Sequence, residues 1–69
     1  MTTTTILVHN ETCVMAGRPV TQRQIDNSPD GEDCWDWHRE EVSEENAERH
    51  EASASRYHQE IAKAIREAM

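Results

Sequence analysis

The chain has 69 residues, 35% of them hydrophobic, with no Phe and a formal net charge of −7 at pH 7. A chain of this length forms one domain and buries only roughly 60% of its unfolded surface. Its single core supplies no more than about 3–5 kcal/mol, which leaves no room for a large sheltered pocket and favours help from self-association, a metal or a partner. The acidity disfavours contact with nucleic acid and anionic membrane, and favours basic protein partners.

The N-terminal stretch Met1–Val8 has no basic region and a short apolar run, Ile6-Leu-Val. It does not read as a signal peptide, and nothing nears the length of a membrane span, so a cytoplasmic protein is expected. In that reducing compartment Cys13 and Cys34 read as free thiols.

Residues 5–20 read as a β-hairpin. Thr5-Ile-Leu-Val and Thr12-Cys-Val-Met are the two strand-like runs, and His9-Asn-Glu lies between them as the turn. Gly17 and Pro19 end the second run. Thr21-Gln-Arg-Gln24 matches a capping box and predicts a short helical turn over 21–27 that buries Ile25. Asn27-Ser-Pro-Asp-Gly-Glu is a loop by composition.

From Asp33 to Met69 there is neither Gly nor Pro. The run therefore reads as one long helix over 33–69, roughly 55 Å at 1.5 Å per residue. Ser43, Ala47, His50, Ala54, Tyr57, Ile61, Ala64 and Ala68 recur at alternating steps of four and three, a heptad seam. Such a seam is longer than a short hairpin can cover, which predicts a helix-mediated homodimer; the alternative is that the seam lies on the chain's own hairpin. The fold class expected is α+β: a short N-terminal β-hairpin, then a long acidic C-terminal α-helix that pairs with its copy, with the hairpin packed near Trp35 and Trp37.

On that helix Asp36, Glu40, Glu44 and Glu48, spaced four apart, would stack on one side. Like charges at this spacing cost a few tenths of a kcal/mol per pair. The row is either a solvated face or a docking surface for a basic partner; the alternative is a nucleic-acid mimic, since the seven acids from Asp36 to Glu51 would fall at roughly one charge per 3.4 Å of helix, close to the spacing along one DNA strand. Of Trp35 and Trp37, two apart and so on different sides of a helix, one is expected to anchor the hairpin on the long helix and the other to meet the partner; the alternative is that both pack in the core. Trp37 is the one assigned to the contact surface with the acids.

His9-x-x-x-Cys13 and Cys34-x-x-x-His38 are the candidate metal ligands, able in principle to complete a Cys2His2 zinc site that staples a small core. Their spacing matches no zinc-finger pattern, and no cofactor is expected. His50 falls on the seam and is read as a hydrogen-bonded seam residue, with a pH-sensitive interface as the alternative. There is no Gly-rich phosphate loop, nucleophile elbow or paired-histidine metalloprotease helix, so no enzyme is expected.

The run Asp30-Gly-Glu-Asp-Cys-Trp-Asp-Trp-His-Arg-Glu-Glu-Val-Ser-Glu-Glu-Asn-Ala-Glu-Arg-His-Glu51 resembles the surface of small phage-encoded inhibitor proteins, among them anti-CRISPR proteins and anti-activators of quorum sensing. The resemblance lies in length, acidity and a lone domain without motifs. It implies a partner in a bacterial host, such as a nucleic-acid-binding regulator or a defence complex. The expected function is non-enzymatic masking of a host protein. A DNA mimic and a zinc-stapled assembly module are the alternatives.

Overall fold

The computed structural model describes residues 3–69. Met1 and Thr2, part of the stretch read against a signal peptide, lie outside the described residues. The elements in chain order are β1 (Thr5–His9), α1 (Gln22–Asn27), a 3-10 turn (Gly31–Asp33), β2 (Trp37–Glu41), α2 (Glu44–Glu51) and α3 (Arg56–Ala68). The α+β class expected from the sequence is the class observed, but its parts are distributed differently.

β1 forms where Thr5, Ile6 and Val8 supply β-branched side chains suited to a pleated surface. Its expected partner, Thr12–Met15, is not a strand. Those residues make consecutive turns, with Cys13 N–H donating to the Asn10 carbonyl at 3.0 Å and Ala16 N–H to that of Cys13 at 3.1 Å. The chain then runs back along one edge of β1. Gly17 N–H donates to the His9 carbonyl, His9 N–H to that of Arg18, and Val20 N–H to that of Leu7, around a single bridge between Val8 and Pro19. Gly17 is required here, because it has φ of 79° and a Cβ at this position would stand 2.5 Å from the Tyr57 carbonyl oxygen.

The strand partner of β1 is β2, antiparallel, with Thr5 opposite Glu41 and His9 opposite Trp37. This breaks the expected rod near its beginning. Helix preference along Trp37–Glu41 amounts to tenths of a kcal/mol per residue. A lone strand leaves a whole row of backbone groups unpaired, and pairing them outweighs that preference. Ser43 then starts α2, its hydroxyl accepting from Asn46 N–H at 3.2 Å.

The rod breaks a second time. α2 ends at Glu51, and α3 begins after Ser55. The Gln59 side-chain amide donates to the carbonyls of Glu51 at 3.1 Å and Ser53 at 2.6 Å, capping the end of α2 from the partner helix. No Gly or Pro marks this corner.

The heptad seam is therefore closed within one molecule. Val8, Ala47, Ile61, Ala64 and Ile65 form the core, with Ile6, Val42 and Tyr57 packed against it. Ala47, Ile61 and Ala64 are buried as the spacing suggests, but against their own sheet and each other. Ala54 and Ala68 are exposed, His50 and Tyr57 half-buried, and Ser43 serves as a cap. The unbroken helix that motivated a homodimer is not present.

The capping box stands as read. Thr21 Oγ1 accepts from Gln24 N–H at 3.2 Å, and Gln24 Oε1 accepts from Thr21 N–H at 2.9 Å. Ile25 is only half-buried.

Candidate functional site

Two clusters of polar groups stand out, one around the loop that precedes β2 and one inside the β2–α2–α3 layer. The loop runs from the end of α1 through Ser28, Pro29 and the 3-10 turn. Gly31 N–H donates to the Ser28 carbonyl, and Cys34 N–H to that of Gly31, each at 3.2 Å. This tight path turns Cys34 inward and Trp35 out, leaving the Trp35 side chain 86% exposed.

The loop is held from the turn after β1. Asn10 Nδ2 donates to the Trp35 carbonyl. The Asp36 carbonyl accepts from Asn10 N–H at 2.9 Å and from Cys13 Sγ at 3.2 Å. Asp30, Glu32, Asp33 and Asp36 are all exposed on this loop. Among them Glu32 has a cationic partner, Arg39, at 3.5 Å. Trp35, Trp37, Pro29, Gln24, Asp30 and Asp36 line a shallow depression beside the loop.

Trp37 plays the other role. It is half-buried, sits edge-on to His9 with ring centroids 5.8 Å apart, and its Nε1 is buried without an acceptor among the described residues. The sequence expectation had one indole inside and one outside, and assigned Trp37 to the outside. The exposed indole is Trp35.

The second cluster centres on Glu40, which points from β2 towards the helices. Its Oε2 accepts from His38 Nε2 at 2.6 Å, and its Oε1 accepts from His50 Nε2 at 3.0 Å and Asn46 Nδ2 at 3.1 Å. Burial alone raises its pKa. The hydrogen bonds from His50, Asn46 and His38, with the charge of His50, outweigh that and hold the carboxyl below its ordinary range.

The chain of contacts continues at both ends. His50 Nδ1 lies 2.9 Å from His58 Nδ1, with the rings stacked. His38 Nδ1 meets Asn10 Oδ1, and the orientation of that amide follows from its donation to the Trp35 carbonyl. Both nitrogens of His38 thus lie against side-chain oxygens, those of Asn10 and Glu40. Asn10 joins the two clusters. One side of its amide holds the Trp35 loop, and the other holds the histidine that grips Glu40.

The Tyr57 hydroxyl, close to this network, has its pKa raised by burial and by the nearby Glu40, Glu11 and Cys13. A third polar feature is structural. Arg66 donates to Glu44 at 2.8 and 3.0 Å and to Glu51 at 2.6 and 2.7 Å, tying the last turn of α3 to both ends of α2. Hydrogen bonds from Arg66 lower the pKa of Glu51, and those from Glu51 and Glu44 raise that of Arg66.

The acidic ladder is dispersed. Asp36 lies in the loop, Glu40 faces inward from β2, Glu44 is paired with Arg66, and Glu48 is exposed on α2. These four do not share a helix face, and the seven acids from Asp36 to Glu51 are divided among a loop, β2 and α2, so the even charge spacing along one helix that suggested a nucleic-acid mimic is absent. The four zinc candidates also have separate partners. His9 contacts Gln24, Cys13 the Asp36 carbonyl, Cys34 the Asp36 carboxylate, and His38 Glu40 and Asn10. Among the described residues no group of three or more His, Cys, Asp or Glu is arranged to hold a metal ion.

Sequence reasoning missed Asn10, Asn46 and His58 as parts of one network. Their separations of up to 48 residues carry no periodic signal that would join them. No protein-family model, curated protein or solved structure matches this chain. Among the described residues no helix is long and apolar enough to cross a membrane.

Proposed function

We propose that this chain is a non-enzymatic protein-binding regulator or inhibitor that masks a basic surface on a cytoplasmic host protein. The reading follows the resemblance to small phage-encoded inhibitors, with the contact surface placed on the loop around Trp35 in place of an acidic helix face. One observation carries it: a large indole, 86% exposed, stands in a clamped loop beside the exposed Asp30 and Asp36. Exposing an indole forgoes roughly 1.5–3 kcal/mol of burial, typical of a large apolar side chain. Aromatic side chains in fixed loops are the usual anchors of protein interfaces. The carboxylates steer encounter with a positive surface, and the indole face adds a cation–π contact to Lys or Arg.

Affinity capture from host lysate tests the reading. The chain is expected to retain one partner stoichiometrically, and Trp35→Ala and Asp30→Lys are each expected to lose it with an unchanged melting temperature. Undiminished capture by both variants removes this surface.

A further inference from the structure

The backbone of β2 offers a recognition element beyond its neighbouring loop. The ladder phase follows from its two ends. Asn10 N–H donates to the Asp36 carbonyl and Val42 N–H to the Thr4 carbonyl, which sets the antiparallel alternation so that Val8 with His38 and Ile6 with Glu40 are the hydrogen-bonded pairs between them. The backbone groups of Trp37, Arg39 and Glu41 therefore point away from β1. Trp37 N–H is used by the Cys34 carbonyl, and the Glu41 carbonyl accepts from Asn46 Nδ2 at 2.8 Å. The Trp37 carbonyl, both backbone groups of Arg39 and the Glu41 N–H have no partner among the described residues. The opposite edge of the sheet differs, because β1 is covered there by residues 17–20.

An open edge that is neither bulged nor covered is a template for another strand. We infer that β2 binds its partner by strand addition, taking an extended Lys- or Arg-bearing segment of another protein onto the Trp37–Glu41 edge; this rests on the proposed docking function and specifies its mode. Charge selects the occupant. Asp36 and Glu41, both exposed, flank the edge and have no cationic partner among the described residues, while Arg39 between them is neutralised by Glu32. A basic side chain opposite Glu41 gains a favourable cross-strand pair. A second copy is disfavoured, since it would bring together two chains of net charge −7, each with exposed Asp36 and Glu41 at this edge. Because Trp35 and Asp36 directly precede β2, a segment on this edge passes the exposed indole.

The test titrates the full isotope-labelled chain with a short capped peptide of alternating lysine and valine, following amide hydrogen exchange. Binding is expected to slow exchange at Arg39 and Glu41 by about tenfold or more. Arg39→Pro removes an outward donor without touching the β1 ladder and is expected to abolish that protection. Glu41→Lys keeps the backbone intact, decides the matter if the proline variant does not fold, and is expected to weaken binding by about tenfold. Strand addition is overturned by absence of peptide binding, by binding without slowed exchange at Arg39 and Glu41, or by full affinity in Glu41→Lys. Slow exchange at the edge without peptide, with a doubled mass in light scattering, makes the occupant a second copy and also overturns it. The underlying docking reading is separately read: if Trp35→Ala loses the captured host partner while Glu41→Lys retains it, the docking reading stands and strand addition falls.

Discussion

The helical hairpin and the Trp35 loop are held by different kinds of force. α2 and α3 close over β1 through Val8, Ala47, Ile61 and Ile65, all at 0% exposure, and Arg66 locks the outside of the pair. The loop between α1 and β2 buries little beyond Cys34 and is positioned by hydrogen bonds from Asn10 and Cys13. Apolar burial is non-directional and supplies stability, whereas a few directed bonds fix a shape without enclosing it. In this chain the part that holds the fold and the part that presents an indole to solvent are separate. The Glu40 network, reaching Asn10 through His38, connects them.

This division is tested most severely at Ile61. Ile61→Ala deletes a fully buried side chain in a core this small and is expected to cost about 2–5 kcal/mol. That approaches the whole stability of such a domain, so loss of the cooperative melt by circular dichroism is the expected outcome. Retention of a sharp melt would place the stabilising packing elsewhere.

Glu40→Ala comes next. It removes the carboxylate partner of the half-buried His50 and His38 and is expected to cost about 1–3 kcal/mol, measured by urea denaturation. The same carboxylate sets an acid limb. Its folded-state pKa is depressed, so its contribution is complete above the ordinary carboxylate range and is lost as pH falls through the folded value. Stability is expected to drop at acidic pH in the native chain, with a smaller drop in Glu40→Ala. Equal acid slopes in the two proteins would remove Glu40 as the cause.

Arg66→Ala sharpens the comparison from the outside of the hairpin. The pairs with Glu44 and Glu51 are exposed, so the expected loss is smaller than that of Glu40→Ala and shrinks with added salt. The smallest effect on stability is expected at Trp35. Trp35→Ala should leave the melting temperature within about 0.5 kcal/mol-equivalent of native, as for an ordinary surface change, while eliminating partner capture. A large loss of stability in this variant would make the indole a structural residue and erase the contrast between the two regions.

Local chemistry alone determined several features. The Thr21–Gln24 box, the strand at Thr5-Ile-Leu-Val and the buried stripe through Ile61 and Ala64 were legible because each depends on neighbours within a few residues. Net charge and length likewise set a small acidic domain. Tertiary structure decided that Trp37–Glu41 is a strand, that Ala52–Ser55 is a corner, that Asn10, Glu40, His50 and His58 form one network, and that Trp35 is the exposed indole. Each of these depends on which distant backbone or side-chain group is available as a partner. Pairing a whole strand and burying a hairpin's core involve energies larger than the small per-residue preferences that favour an unbroken helix.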